Sequence, residues 1–241
     1  MTEMEVVKAR KRGRVAVRLR ADSHESPEDG AVERKATGKR RRRADVVRGT
    51  VLQAALECFG TFGYDGTSTR AVAERAEVTH TLVLYHFKSK EDLWIATLDK
   101  ALSIYIDTIA PAVNAGDEVP AGERLRRFIE QFVRFSAQYP QIHRIMTMEG
   151  NQDTSRLEWV INNYLRKHFE QIRDLIRKGQ DEGSVRDCDA ARLYYFIIGG
   201  AGTLFTLSTE YHALTGRNVF SEAEILRNLA FLYEIVFLNK R

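Results

Sequence analysis

Between residues 44 and 105 apolar positions recur at helical spacing in short blocks, each closed by turn chemistry. From Ala44 onward Val47, Val51, Ala54, Ala55, Cys58, Phe59 and Phe62 share one face until Gly63 interrupts, which predicts a first helix of about 18 residues with a buried stripe. Tyr64-Asp65-Gly66 reads as a turn and Thr67 as an N-cap. A second helix is predicted from Ser68 to Ala76, burying Ala71 and Val72, with a break at Glu77-Val78. Thr79 again suits an N-cap, and His80 to His86 form a third helix. In it Val83 and Leu84 look inward with Val78 and Phe87, leaving His80, Thr81, Leu82 and Tyr85 outside. Ser89 caps the next helix, with Glu91 and Asp92 complementing its dipole. Two short helices across a tight break, over 68–87, are the layout of a helix-turn-helix, whose second helix is sized for the DNA major groove.

The pattern then lengthens. A helix through Leu93, Ala96, Thr97, Ala101, Ile104 and Tyr105 is expected to stop before Pro111, and 114–120 is a connector. An amphipathic helix follows over 121–138, broken at Tyr139-Pro140; a short one covers 141–149, and a long one runs over 154–182 with Gly183 as its cap. Phe132, Phe135, Met146, Trp159, Tyr164 and His168 are the residue types that line an apolar pocket with a few polar handles, core being the alternative for each. The segment 188–214, containing LYYFIIGGAGTLFTL, is apolar around its circumference, and Gly199, Gly200 and Gly202 would let another backbone come close. A last helix from Glu222, capped by Ser221, reaches the chain end. One subunit has too few other helices to cover both, so 188–214 and 222–240 are expected to pair with their copies in a symmetric homodimer.

Composition alters this picture little, and charge more. With 44% hydrophobic and 29% charged residues in 241, the chain is ordinary for a globular protein. The net +4 is unevenly placed: 14 Lys/Arg against 7 Asp/Glu through Arg43 give +7 there and −3 for the rest. Residues 1–43 hold few large apolar side chains and end in Lys39-Arg40-Arg41-Arg42-Arg43, so they are read as a disordered basic arm, either attracted to phosphates or a solvated tail. Cys58 and Cys188, far apart in helical contexts, are expected as reduced, buried thiols in a cytoplasmic protein. The sequence has no His-Glu-x-x-His, no Cys-x-x-Cys and no Gly-rich phosphate loop, which argues against a helical-bundle enzyme; no metal, cofactor or membrane partner is expected. A sequence-nonspecific nucleic-acid binder driven by the arm is the other alternative.

Gly63-Tyr64, Thr67-Ser68, Val72-Ala73, Val78-Thr79, His86-Phe87 and Ser89-Lys90 resemble, in order and spacing, the DNA-binding domain of the tetracycline-repressor (TetR) family over about residues 45 to 105. The resemblance implies an all-α fold: a three-helix DNA-binding head at 44–105 and a helical effector-binding and dimerising body at 106–241. It implies a regulator, a repressor released from a palindromic operator by a small-molecule effector. The DNA-facing set would be Thr67, Ser68, Thr69, Arg70, Thr79, His80, Thr81, Leu82, Tyr85, Lys88 and Lys90, with Ser68 and Lys90 on phosphates. Two positions depart from the family pattern. Glu77 stands where the turn often has Gly, so the turn either tolerates a strained residue or has another geometry. Leu84 stands where Tyr is common, which leaves Tyr85 to replace that phosphate contact.

Overall fold

In the computed structural model residues 27–116 and 118–238 are described, and every element among them is a helix apart from one isolated bridge, Val185 to Phe237. The first helix, α1, spans Pro27–Gly66 with a kink at Gly63, whose φ of 68° favours glycine. The arm expected to be disordered is therefore helical from Pro27. Its Ala, Arg, Lys and Glu residues are strong helix formers, so local propensity favours this helix. The expectation for residues 1–26 lies outside the described residues. By its contacts the chain divides after Asp45, and the helix-turn-helix and every helix after it belong to the unit 46–241.

The head is organised by three side-chain caps. Ser68 Oγ accepts from Ala71 N and opens α2 (Thr69–Arg75); Thr79 Oγ1 accepts from Leu82 N and opens α3 (His80–His86); Ser89 Oγ accepts from Asp92 N and opens α4 (Lys90–Val113). The cap of α2 is thus Ser68 and not Thr67, which is buried and donates from Oγ1 to Gly63 O. Between α2 and α3 Val78 N donates to Ala73 O at 3.0 Å and Glu77 N to Glu74 O at 3.1 Å, the paired bonds of a Schellman turn. Glu77 occupies its left-handed position at φ 54°. Val51, Ala55, Phe59, Val72 and Val83 fill the space between these helices. Phe62, expected on the buried stripe, is 60% exposed because it lies one residue before the Gly63 kink.

Helix α4 runs two residues past Pro111. The ring removes one helical hydrogen bond near the helix end, where few further bonds depend on it. The body packs α4, α8 and α9 around α5 (Ala121–Gln138), whose Leu125, Phe128, Ile129 and Val133 are fully enclosed. Helix α6 (Pro140–Glu149) follows, then α7 (Ser155–Val160), a π-helical turn at Ile161–Leu165 and α8 (Arg166–Asp181), so the long helix expected over 154–182 is continuous but locally unwound. The expected helix 188–214 is two, α9 (Ala190–Thr206) and α10 (Ser208–Thr215), bent by 76° at Leu207. Helix α11 (Glu222–Val236) closes the bundle. The close approach expected at the α9 glycines is made by side chains: a Cβ at Gly202 would stand 2.3 Å from His143 Nδ1, and one at Gly200 2.9 Å from Leu232 Cδ2. Cys58 is buried, but Cys188 is exposed, in the loop before α9 and not in a helix. Among the described residues no single helix is long and apolar enough to cross a membrane.

Candidate DNA-reading face and ligand cavity

Ser68, Arg70, Thr79, Thr81, Tyr85 and Lys88 are exposed on the helix-turn-helix, while Thr69, His80, Leu82 and Lys90 are half-buried. Thr67, included in the DNA-facing set from sequence, is 2% exposed and faces the interior. Tyr85 protrudes furthest, at 80% exposure, its ring edge-on to His86 at 5.3 Å. Leu84, expected to look inward, is also exposed; in a seven-residue helix Val83 alone is buried, so the next two positions both turn outward. That adds an apolar side chain suited to a thymine methyl beside a phenol suited to a phosphate or base edge. Thr69 Oγ1 and His80 Nε2 lie 3.0 Å apart, tying the first residues of α2 and α3 together and engaging part of the polar capacity of both.

Lys90 opens α4 with its Nζ 3.4 Å from Asp65 O and 4.3 Å from the centre of the Tyr64 ring. Neither partner is an anion. The same ring carries the Arg156 guanidinium at 3.8 Å, stacks on Phe59 at 6.1 Å and meets the edge of Trp94 at 6.4 Å. Arg156 belongs to α7, and its Nη2 bonds Glu149 Oε1 at 3.1 Å, the two side chains being 15% and 5% exposed. Thr154 Oγ1 donates to that same carboxylate oxygen.

The body holds a cavity of about 810 Å³, open to solvent, between α4, α5, α6, the π turn, α8 and α9. Of the six side chains proposed from sequence, Phe132, Phe135, Met146 and His168 line it. Trp159 and Tyr164 do not. Trp159 packs against Trp94 at 6.4 Å, and Tyr164 donates its hydroxyl to Asp99 Oδ1 at 2.6 Å, so the one joins α7 and the other the π segment to α4. Trp159 lies two positions past the cavity-lining Leu157 and so on the other face of α7, while Tyr164 lies within the π turn, whose extra residue shifts the helical phase. Residues missed from sequence include Tyr105, Tyr139, His143 and Tyr194. Helical periodicity marks them only as buried, and a void framed by elements distant in sequence has no local signal.

The interior is mainly apolar, with a few uncharged polar groups. Tyr105 Oη and His168 Nε2 lie 2.9 Å apart with both residues buried. Burial pulls His168 down to about 4 and also lowers His143, so both imidazoles are neutral near pH 7. Burial pushes the Tyr105 and Tyr194 phenols up, keeping them protonated donors. The charged lining residues, Arg166, Glu170 and Arg173, all come from α8, the first two exposed and Arg173 half-buried. An apolar or aromatic guest with neutral hydrogen-bonding groups suits this lining.

A family profile described as bacterial regulatory proteins, tetR family, matches residues 51–97, and one described as tetracyclin repressor-like, C-terminal domain, matches 122–236. The HTH-type transcriptional regulator RutR of Escherichia coli (strain K12) is 30% identical over 193 residues, 80% of this chain and 89% of RutR. Among solved structures, AibR in complex with isovaleryl coenzyme A and operator DNA superposes with a TM-score of 0.64 at 16% identity, covering 78% of this chain and 98% of AibR. The ketosteroid transcriptional regulator of Mycobacterium tuberculosis gives 0.64 at 20% identity, covering 80% and 95%. At these identities the likeness to the two structures is one of fold.

Proposed function

The chain belongs to the TetR family of bacterial regulatory proteins, and from that premise we propose that it represses transcription in the cytoplasm as a homodimer released from a palindromic operator by a small molecule. Residues 44–105 read DNA, with Tyr85, Leu84, Thr81 and Arg70 toward base edges and Ser68, Lys88 and Lys90 toward phosphates. Residues 106–241 bind the effector and dimerise. The observation that carries this reading is the course of α4. It begins at Lys90 in the head and walls the cavity with Leu102 and Tyr105, so one rigid element meets both sites. An effector that fits the cavity better with α4 shifted favours a head spacing that no longer matches both half-sites.

Dimerisation through α9 and α11 is supported by four large side chains left exposed on those helices, Tyr195, Phe196, Leu226 and Phe231. AibR, held in one crystal with both a thioester ligand and operator DNA, supports two such sites on this architecture. Selection of bound duplexes from a random pool tests the function. A palindrome with half-sites one or more helical turns apart is expected, and a pool with no enriched sequence would overturn the reading.

A further inference from the structure

We propose that Arg156, a residue of the body, positions Lys90 for its DNA phosphate by holding the Tyr64 ring on which the lysine rests. The inference rests on the DNA-binding reading above. A phosphate-binding lysine must be ordered without being neutralised, and the junction meets both needs. Lys90 Nζ lies over the Tyr64 ring and beside the Asp65 carbonyl, and among the described residues it forms no ion pair, so its charge remains available to an anion. The ring is itself fixed by Phe59, Trp94 and the Arg156 guanidinium at 3.8 Å.

Two cations on one ring repel each other unless one is compensated. Glu149 compensates Arg156 at 3.1 Å in a largely buried pair, so the guanidinium can stack on the ring without displacing Lys90. Without Arg156 the ring loses its clamp, and the Glu149 carboxylate is left as an unbalanced negative charge toward which Lys90 is drawn. Both effects weaken a phosphate contact that Arg156 never touches. The pair also borders the ligand site: Glu149 ends α6, whose Met146 lines the cavity, and Arg156 precedes Leu157, which lines it too.

A double-mutant cycle on the full chain, read by fluorescence anisotropy with the selected operator and with an unrelated duplex across a salt series, tests the proposal. Arg156→Met should weaken binding to both duplexes about ten-fold and lower the slope of log affinity against log salt by about 1, as loss of one phosphate contact does. In a Lys90→Ala background the same substitution should change nothing further. Arg156→Met,Glu149→Gln, which removes the unbalanced charge, should recover part of the loss. An equal loss with and without Lys90 would overturn the proposal by making Arg156 merely structural, as would an unchanged affinity and slope. If Arg156→Met fails to fold by circular dichroism, Tyr64→Leu enters the same cycle with the same expected and overturning outcomes. Failure of the parent chain to bind any duplex selectively would count instead against the DNA-binding reading.

Discussion

The head and the body of this chain are both helical, but they differ in how they fill the space between helices. Caps three residues upstream of their partner amides open α2, α3 and α4 in the head, at Ser68, Thr79 and Ser89, and α7, α9 and α11 in the body, at Thr154, Asp189 and Ser221, but in the head the space between helices is filled. In the body α5 supplies a filled core on one side and a void of about 810 Å³ on the other. A reading surface has to keep one shape, so local bonds and dense packing suit it. A ligand site has to keep a space, which only helices distant in sequence can frame.

The sharpest break of that contrast would come from comparing two phenylalanines. Phe59 is wholly enclosed in the head, whereas Phe132 faces the cavity on one side. Phe59→Ala should cost about 4 kcal/mol, near the middle of the range for such truncations. Phe132→Ala should cost about 2 kcal/mol, because a side chain beside a void has fewer atoms to lose contact with. Denaturant unfolding of both variants with unchanged m-values measures the difference, and equal costs would mean that the body is as tightly packed as the head.

The next effect is set by pH and belongs to the body alone. His168 titrates at about 4 in the folded chain, its imidazole kept neutral by burial. Unfolded, it titrates near its ordinary value of about 6.5. The unfolded state therefore binds the proton first, so this contribution is fully present above about pH 6.5 and is lost as pH falls toward 4, amounting to about 3 kcal/mol. His168→Phe should flatten that part of the stability profile. A variant as acid-sensitive as the parent would place the sensitivity elsewhere.

Legibility in the sequence follows the same division. The caps and the α3 bounds are readable because a Ser or Thr three residues before its amide is a local event. Thr67 is misplaced only because Ser68 next to it is an equally good cap, and the shift buries a residue expected to face DNA. The cavity is half readable: residue type finds Phe132, Phe135, Met146 and His168, but it also picks Trp159, which falls on the face of α7 away from Leu157, and Tyr164, which is lost to the π turn, whose phase no simple periodicity reports. Tyr64 is a turn residue by sequence; its two cations come from positions 26 and 92 residues away, Lys90 and Arg156.

Within the head, function should separate from stability. Tyr85→Ala removes a side chain that is 80% exposed, so folding should be unaffected while affinity for the selected operator falls by about 2 kcal/mol, roughly thirty-fold. Binding to unrelated duplexes should change much less. Competition binding with the two duplexes reads both numbers, and an undiminished preference for the operator removes Tyr85 from the reading face.

The smallest effect tests the turn that joins the two short helices. Glu77 holds a left-handed conformation at φ 54°, which costs a residue with a Cβ about 1 kcal/mol or more. Its backbone bond to Glu74 and the Val78 bond to Ala73 keep it there. Glu77→Gly relieves the strain but gives the unfolded chain more freedom, so the net gain should be about 1 kcal/mol at most. Glu77→Ala keeps the strain and controls for loss of the carboxylate, so the gain in thermal midpoint should appear with Gly and not with Ala. If both variants melt together, the turn carries no strain. The glycine variant should also bind operator as the parent does, since the same Schellman bonds fix α3 in either case.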